Sequence, residues 1–176
     1  MTNTSRLDAL NAASTEQAAA DLGACNASPR WIARIVAQRP YADAATLLRT
    51  AEDTARDLPW DEVCAALDAH PRIGDRAEGH GTEARWSRQE QAAVGSSDAA
   101  TGDALRAGNA DYERRFGHVF LIRAAGRSPD EMLAELRRRL ANDEAGERAE
   151  VTEQLAQITR LRLQKLLADR PDSTPK

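Results

Sequence analysis

The chain has 176 residues, 41% hydrophobic and 30% charged, with a formal net charge of −4. That length suits one domain; alanine is about a fifth of it and Leu, Ile, Val and Phe together about a sixth, below the roughly 20% at which disorder becomes a concern, but the low net charge opposes disorder. An ordered domain with a small, alanine-filled core is expected, and the scarcity of β-branched and aromatic residues excludes an all-β fold.

In chain order, Met1 to Asn11 is polar and lacks the basic-then-apolar pattern of a signal peptide, so a cytoplasmic location is expected. Ser14 to Gln17 reads as a capping box, and Leu22-Gly23 as a helix stop. Ser28-Pro29 places a cap before a proline at the first helical position. Trp31, Ile32, Ile35 and Val36 follow at helical spacing, ending before Pro40. Asp43 opens a helix carrying Leu47, Leu48, Ala51 and Ala55. Pro59 starts another with Val63, Ala66 and Leu67 on one face, ending at His70 because Pro71 follows. From Pro71 to Trp86 no period survives, and Gly74, Gly79 and Gly81 mark a long loop. Ser87 to Glu90 reads as a capping box that opens the next helix. A further helix runs to Phe116 and stops at Gly117. His118 to Ala125 is apolar without helical polarity and reads as extended or as a buried turn. Ser128-Pro129-Asp130-Glu131 starts a helix to Leu140, and Asn142 caps a long final one. The expectation is a single all-α domain of eight or nine short helices over residues 1–168, with a polar tail at 169–176.

No apolar run reaches the roughly 20 residues of a membrane span, so no membrane partner is expected. A pI near 5.5 and interspersed charges speak against a nucleic-acid partner. Cys25 and Cys64 stand apart and read as small buried hydrophobes. Three histidines, His70, His80 and His118, show no HxH or HExxH spacing, so no metal site is expected. His70 stands at a helix end at the mouth of the glycine-rich loop. A helix C-terminus favours imidazolium and predicts a raised pKa. Glu90, read as lying in the first turn of the next helix, is a candidate to orient and charge it. The bland alternative is a capping histidine beside a capping-box glutamate. Arg160 and Arg162 differ by about 200° around a helix, so both cannot face outward. An inward arginine suits a carboxylate or a planar urea-like group; an ordinary salt bridge is the alternative.

His70-Pro71-Arg72-Ile73-Gly74-Asp75, Ser87-Arg88-Gln89-Glu90-Gln91, Asn109-Ala110-Asp111-Tyr112, Arg115-Phe116-Gly117 and Leu161-Arg162-Leu163 occur in a fixed order. Together they resemble the OHCU decarboxylase family over about residues 7 to 167. Those enzymes convert 2-oxo-4-hydroxy-4-carboxy-5-ureidoimidazoline (OHCU), which also decays unaided to racemic allantoin, to (S)-allantoin and CO2. The resemblance implies an all-α homodimer without metal or organic cofactor. It implies a catalytic pair, His70 and Glu90. It implies substrate contacts from Pro71, Ser87, Arg88, Gln89, Gln91 and Arg162, and from the segment Phe120, Leu121, Ile122, Arg123 and Ala124. Many members have Phe-Gly-Phe where this chain has Phe116-Gly117-His118. That departure keeps open a diverged homologue acting on another ureido or carboxylated heterocycle. A non-catalytic helical interaction module is the rival from another class; it predicts that His70, Glu90 and Arg162 do not converge.

Overall fold

A computed structural model of the chain describes residues 2–75, 78–95 and 97–168. Among these residues there are helices and no strands: α1 (Thr2–Ala12), α2 (Thr15–Gly23), α3 (Pro29–Ala37), α4 (Ala44–Arg56), α5 (Trp60–Leu67), α6 (Thr82–Glu90), α7 (Ala92–Gly95), α8 (Ala99–Phe116), α9 (Pro129–Arg139) and α10 (Glu144–Ala168). The expected tail at 169–176 lies outside the described residues.

Local capping explains most of the starts. Ser28 Oγ accepts from Trp31 N at 3.1 Å and Asp43 Oδ1 from Thr46 N at 2.7 Å. Asp98 does the same for α8, and Ser128 forms a full capping box with Glu131. Each such bond satisfies an amide that the helix itself leaves unpaired. Gly117, at φ +79°, closes α8 in the left-handed region that glycine tolerates.

Four local expectations need correction. Ser14 caps α2, but the Gln17 side chain turns to Asp21 Oδ1 at 2.9 Å, leaving half a box. Asp143, not Asn142, caps α10, accepting from Gly146 N at 2.7 Å. α1 is a helix that sequence pattern did not reveal. Tertiary partners hold it: Arg39 Nη1 donates to its terminal Leu10 O at 2.6 Å and to Ala13 O at 2.8 Å. Asn11 and Tyr41 exchange two bonds of 2.9 Å. The fourth concerns Ser87, which opens no helix. It lies inside α6, whose N-cap is Gly81. The i, i+3 spacing that writes a capping box also puts two side chains on one helix face, and Ser87 and Glu90 use it that way.

Two core clusters meet at one seam. The first gathers α1 to α5 around α10, with Trp31, Leu47, Val63, Leu155 and Leu163 buried. α10 packs most extensively on α4, where fully buried Ala51 and Ala55 face a helix carrying buried Ala156. Such small side chains let the two backbones approach closely. The second cluster joins Ile73 and Val94 to Leu105, Tyr112, Phe120, Met132 and Leu136. Residues 118–125 form no regular element. Along them Leu121 enters the first cluster while Phe120, Ile122 and Ala124 enter the second, the alternation of an extended chain. The segment from His70 to Ile73 crosses the same seam.

Candidate active site

α5 ends in a turn closed by His70 N donating to Leu67 O at 2.9 Å, and Pro71 cannot continue it. The segment beyond is held from three directions. Asn109 Nδ2 donates to Ile73 O at 2.6 Å. Gln91 accepts from Gly74 N at 3.0 Å and donates to Arg72 O at 3.4 Å. Arg72 grips Glu113 on α8 through two bonds, of 2.5 and 3.0 Å. Gly74 has φ +95°, a conformation that side-chain-bearing residues rarely adopt. His70 is thereby fixed at the seam.

Two adjoining cavities share Ser87. One, of about 260 Å³, is lined by His70, Pro71, Ser87, Asp68, Glu78 and Glu83, with Ala69 and Ala84. The other, of about 280 Å³, is lined by Ser87, Arg88, Gln91, Gly74, Asp75, Val94 and their neighbours. Behind Ser87 lies Arg162, whose side chain is 2% exposed. Its Nε and Nη2 clasp both oxygens of Glu90 at 3.0 and 3.1 Å, and Nη2 also donates to Ser87 Oγ at 2.9 Å. Nη1 reaches Ala24 O at 3.4 Å. Lys165 Nζ lies 3.7 Å from Glu90. Of the two arginines, Arg162 is therefore the inward one, while Arg160 pairs with Glu52 at 3.0 Å.

The charge state of His70 is the reverse of the helix-end expectation. Burial, with the Arg162 charge acting in the same direction, pushes its pKa down from 6.5 to about 3. His70 itself keeps part of its surface open and lines the cavity, and the downward shift favours the neutral ring at pH 7. The Glu90 carboxylate is clasped by Arg162, with Lys165 3.7 Å away, and the His70 shift comes from burial and Arg162.

The structure thus brings together His70, Pro71, Ser87, Arg88 and Gln91, with Glu90 and Arg162 as a buried pair behind them. Gln89 is exposed and lines neither cavity. Phe120, Leu121, Ile122, Arg123 and Ala124 also line neither; the Arg123 amide donates to Gln154 Oε1 at 2.8 Å. Asp68, Glu78 and Glu83 line the His70 cavity without having been singled out. Glu83 falls in the stretch read as a loop; only the helix α6 shows it one turn before Ser87 and two before Glu90. His118 packs edge-on against Trp60 and Tyr112, with ring centroids 5.3 and 5.5 Å apart, and opens onto a third cavity, with Cys64 and Glu113, that shares Asp68 with the His70 cavity. Among the described residues no group of three or more His, Cys, Asp or Glu side chains could hold a metal ion.

The family model described as OHCU decarboxylase matches residues 11–164. The chain belongs to the OHCU decarboxylase family. A family member from Amia calva, a 2-oxo-4-hydroxy-4-carboxy-5-ureidoimidazoline decarboxylase, is 32% identical over 79% of this chain and 81% of its own. A decarboxylase of the same name from Haloferax volcanii is 27% identical over 76% and 79%. A crystal structure of OHCU decarboxylase in the presence of (S)-allantoin superposes with a TM-score of 0.72 at 25% identity. It covers 84% of this chain and 96% of that one.

Proposed function

We propose that this protein decarboxylates OHCU to (S)-allantoin and CO2, as the final step from urate to allantoin. The observation that carries the reading is the convergence of His70 and Ser87 on one cavity backed by the Arg162–Glu90 pair, in a chain matched to the family over residues 11–164. An interaction module would have left these side chains dispersed. His118, the one departure from the motif, lines neither cavity at Ser87.

The substrate carries a hydroxyl and a carboxylate on one ring carbon, beside a C=N bond. When the bond to the carboxylate breaks, its electron pair moves into that C=N system and leaves an enol. The substrate thus serves as its own electron sink. The protein must hold the carboxylate out of the ring plane, so that the breaking bond overlaps the π system. It must then protonate one face of the neighbouring carbon.

His70 suits the second task as a neutral imidazole. One nitrogen accepts the enol proton while the ring returns a proton to carbon, turning enol into ketone. Ser87 and Gln91 present hydroxyl and amide groups for the ring and ureido ends. Pro71 packs beside them, and Arg88 reaches the second cavity. Glu90 and Arg162 hold Ser87 in place and fix the charge behind the cavity. We assign positioning rather than proton transfer to Glu90. The family resemblance implies a homodimer, and we propose one in the cytoplasm; light scattering should give twice the mass of the 176-residue chain.

Circular dichroism tests the activity. Added to freshly generated OHCU, the protein should produce an (S)-allantoin signal well ahead of the racemic, signal-free decay. Absence of that signal refutes the assignment.

A further inference from the structure

Decarboxylation of OHCU consumes one proton. A carboxylate leaves as neutral CO2, and the electron pair it leaves behind ends in a new bond to hydrogen. His70 does not bring that proton, because it begins neutral and returns what it takes. The Ser87 hydroxyl and the Gln91 amide cannot release one near neutral pH. The His70 cavity has three carboxyl groups, and two of them, Asp68 and Glu78, stand at its exposed rim.

The third is Glu83. It is half-buried and shares the cavity with His70 and Pro71. It sits on the face of α6 that carries Ser87 and Glu90. Its Oε1 lies 3.8 Å from Arg162 Nη1, too far for a hydrogen bond. Arg162 is already clasped by Glu90, so Glu83 is attracted without being committed. The charged groups around it are Arg162 on α10 and Glu90 on α6, with Asp68 after α5 and Glu78 in the loop lining the same cavity and Lys165 on α10 beside Glu90. Four carboxylates, Glu83, Glu90, Asp68 and Glu78, outnumber Arg162 and Lys165, so an incoming carboxylate meets net negative charge that protonation of Glu83 reduces. Burial raises the pKa of Glu83 and the Glu90 charge adds to this, with Arg162 opposing. A bound substrate carboxylate would push the same way.

We propose that Glu83 is the proton donor of the decarboxylation. It takes up a proton as the carboxylate substrate binds. As the C–C bond breaks, it passes that proton to the ring nitrogen that receives the electron pair. His70 then moves the enol proton to the neighbouring carbon. The balance is substrate carboxylate plus protonated Glu83 giving (S)-allantoin, CO2 and ionised Glu83; the next proton comes from water. The role rests on the function proposed above.

The test is steady-state kinetics of wild type, Glu83→Gln and Glu83→Asp on fresh OHCU from pH 5.5 to 8.5 (a span of about three units around neutrality), with spontaneous decay subtracted. Wild-type kcat/KM should rise as pH falls. Glu83→Gln should lose about a hundredfold in kcat, keep or lower KM, flatten the pH profile and still yield (S)-allantoin. Glu83→Asp should recover part of the rate and the slope. Melting temperatures show whether each variant is folded. A folded Glu83→Gln with kcat within about twofold of wild type and the same pH slope overturns this role alone. A wild type without activity overturns the function and this role together.

Discussion

At the end of α5 the backbone carbonyls favour an imidazolium, whereas burial beside Arg162 favours the neutral ring. Magnitudes decide between them. A helix terminus contributes about 0.3–1 kcal/mol, under one pKa unit, while desolvation can move a buried group by about 3–5 units. His70 follows the larger effect and stays neutral. A catalytic histidine of ordinary pKa would lose activity as pH falls through 6.5. Here kcat/KM should show no decline between about pH 7.5 and 5.5; a decline centred near 6.5 would contradict a neutral His70. Stability carries the matching signature. The folded pKa lies below the unfolded 6.5, so below that pH the unfolded chain binds a proton that the folded chain refuses. The stabilisation is complete above 6.5 and shrinks as pH falls towards about 3. Denaturant unfolding of wild type and His70→Gln should therefore differ by about 2 kcal/mol more at pH 7.5 than at pH 5. Parallel pH curves for the two proteins would show that His70 is not desolvated.

Among the helices, those with caps written into the sequence were legible, because the cap and its amide are three residues apart. Ser28-Pro29 and Ser128 to Glu131 needed nothing from the rest of the chain. α6 was not legible: its N-cap, Gly81, has no side chain to signal it. Ser87 and Glu90 find their partner in Arg162, on a helix far along the sequence. α1 depends on Arg39 and Tyr41 in the same way. The candidate site was legible as a set of residues, through a motif resemblance, but not as an arrangement. Neither the Glu90–Arg162 pairing nor the place of Phe120 to Ala124 away from the cavities has a local signal. Helix packing makes its own prediction at Gly108, where α8 meets α9. A Cβ there would lie 2.5 Å from Leu136 Cδ2 and 3.2 Å from Cγ. Alanine gains about 1 kcal/mol in helix propensity, but overpacking costs about 1–3 kcal/mol. Gly108→Ala should lower Tm by about 2–4 °C, measured by thermal unfolding. A raised Tm would mean that Leu136 can yield freely.

Across the molecule, two buried ion pairs tie α10 to other elements. Arg162–Glu90 joins it to α6 at the cavities. Arg139–Glu147, at 2.5 Å and at most 1% exposed, joins it to α9. Glu147 also takes the Tyr112 hydroxyl at 2.5 Å, and Arg139 donates to Leu121 O at 2.7 Å, so both core clusters converge there. A buried pair adds little over an apolar one, but breaking it leaves an uncompensated charge that costs about 3–5 kcal/mol. Glu147→Gln should lower Tm by about 10 °C while leaving kcat at 25 °C (about room temperature) within about twofold of wild type, because Glu147 lines neither cavity. A large loss of kcat with little loss of Tm would place Glu147 in the site. The central claim, that neutral His70 steers the proton to one face of the substrate carbon, is tested most directly by following OHCU with circular dichroism in the presence of folded His70→Gln. The account predicts that the (S)-allantoin signal collapses to the spontaneous, racemic course, a loss of about a hundredfold or more in rate. A variant that still forms (S)-allantoin at near wild-type rate would contradict it.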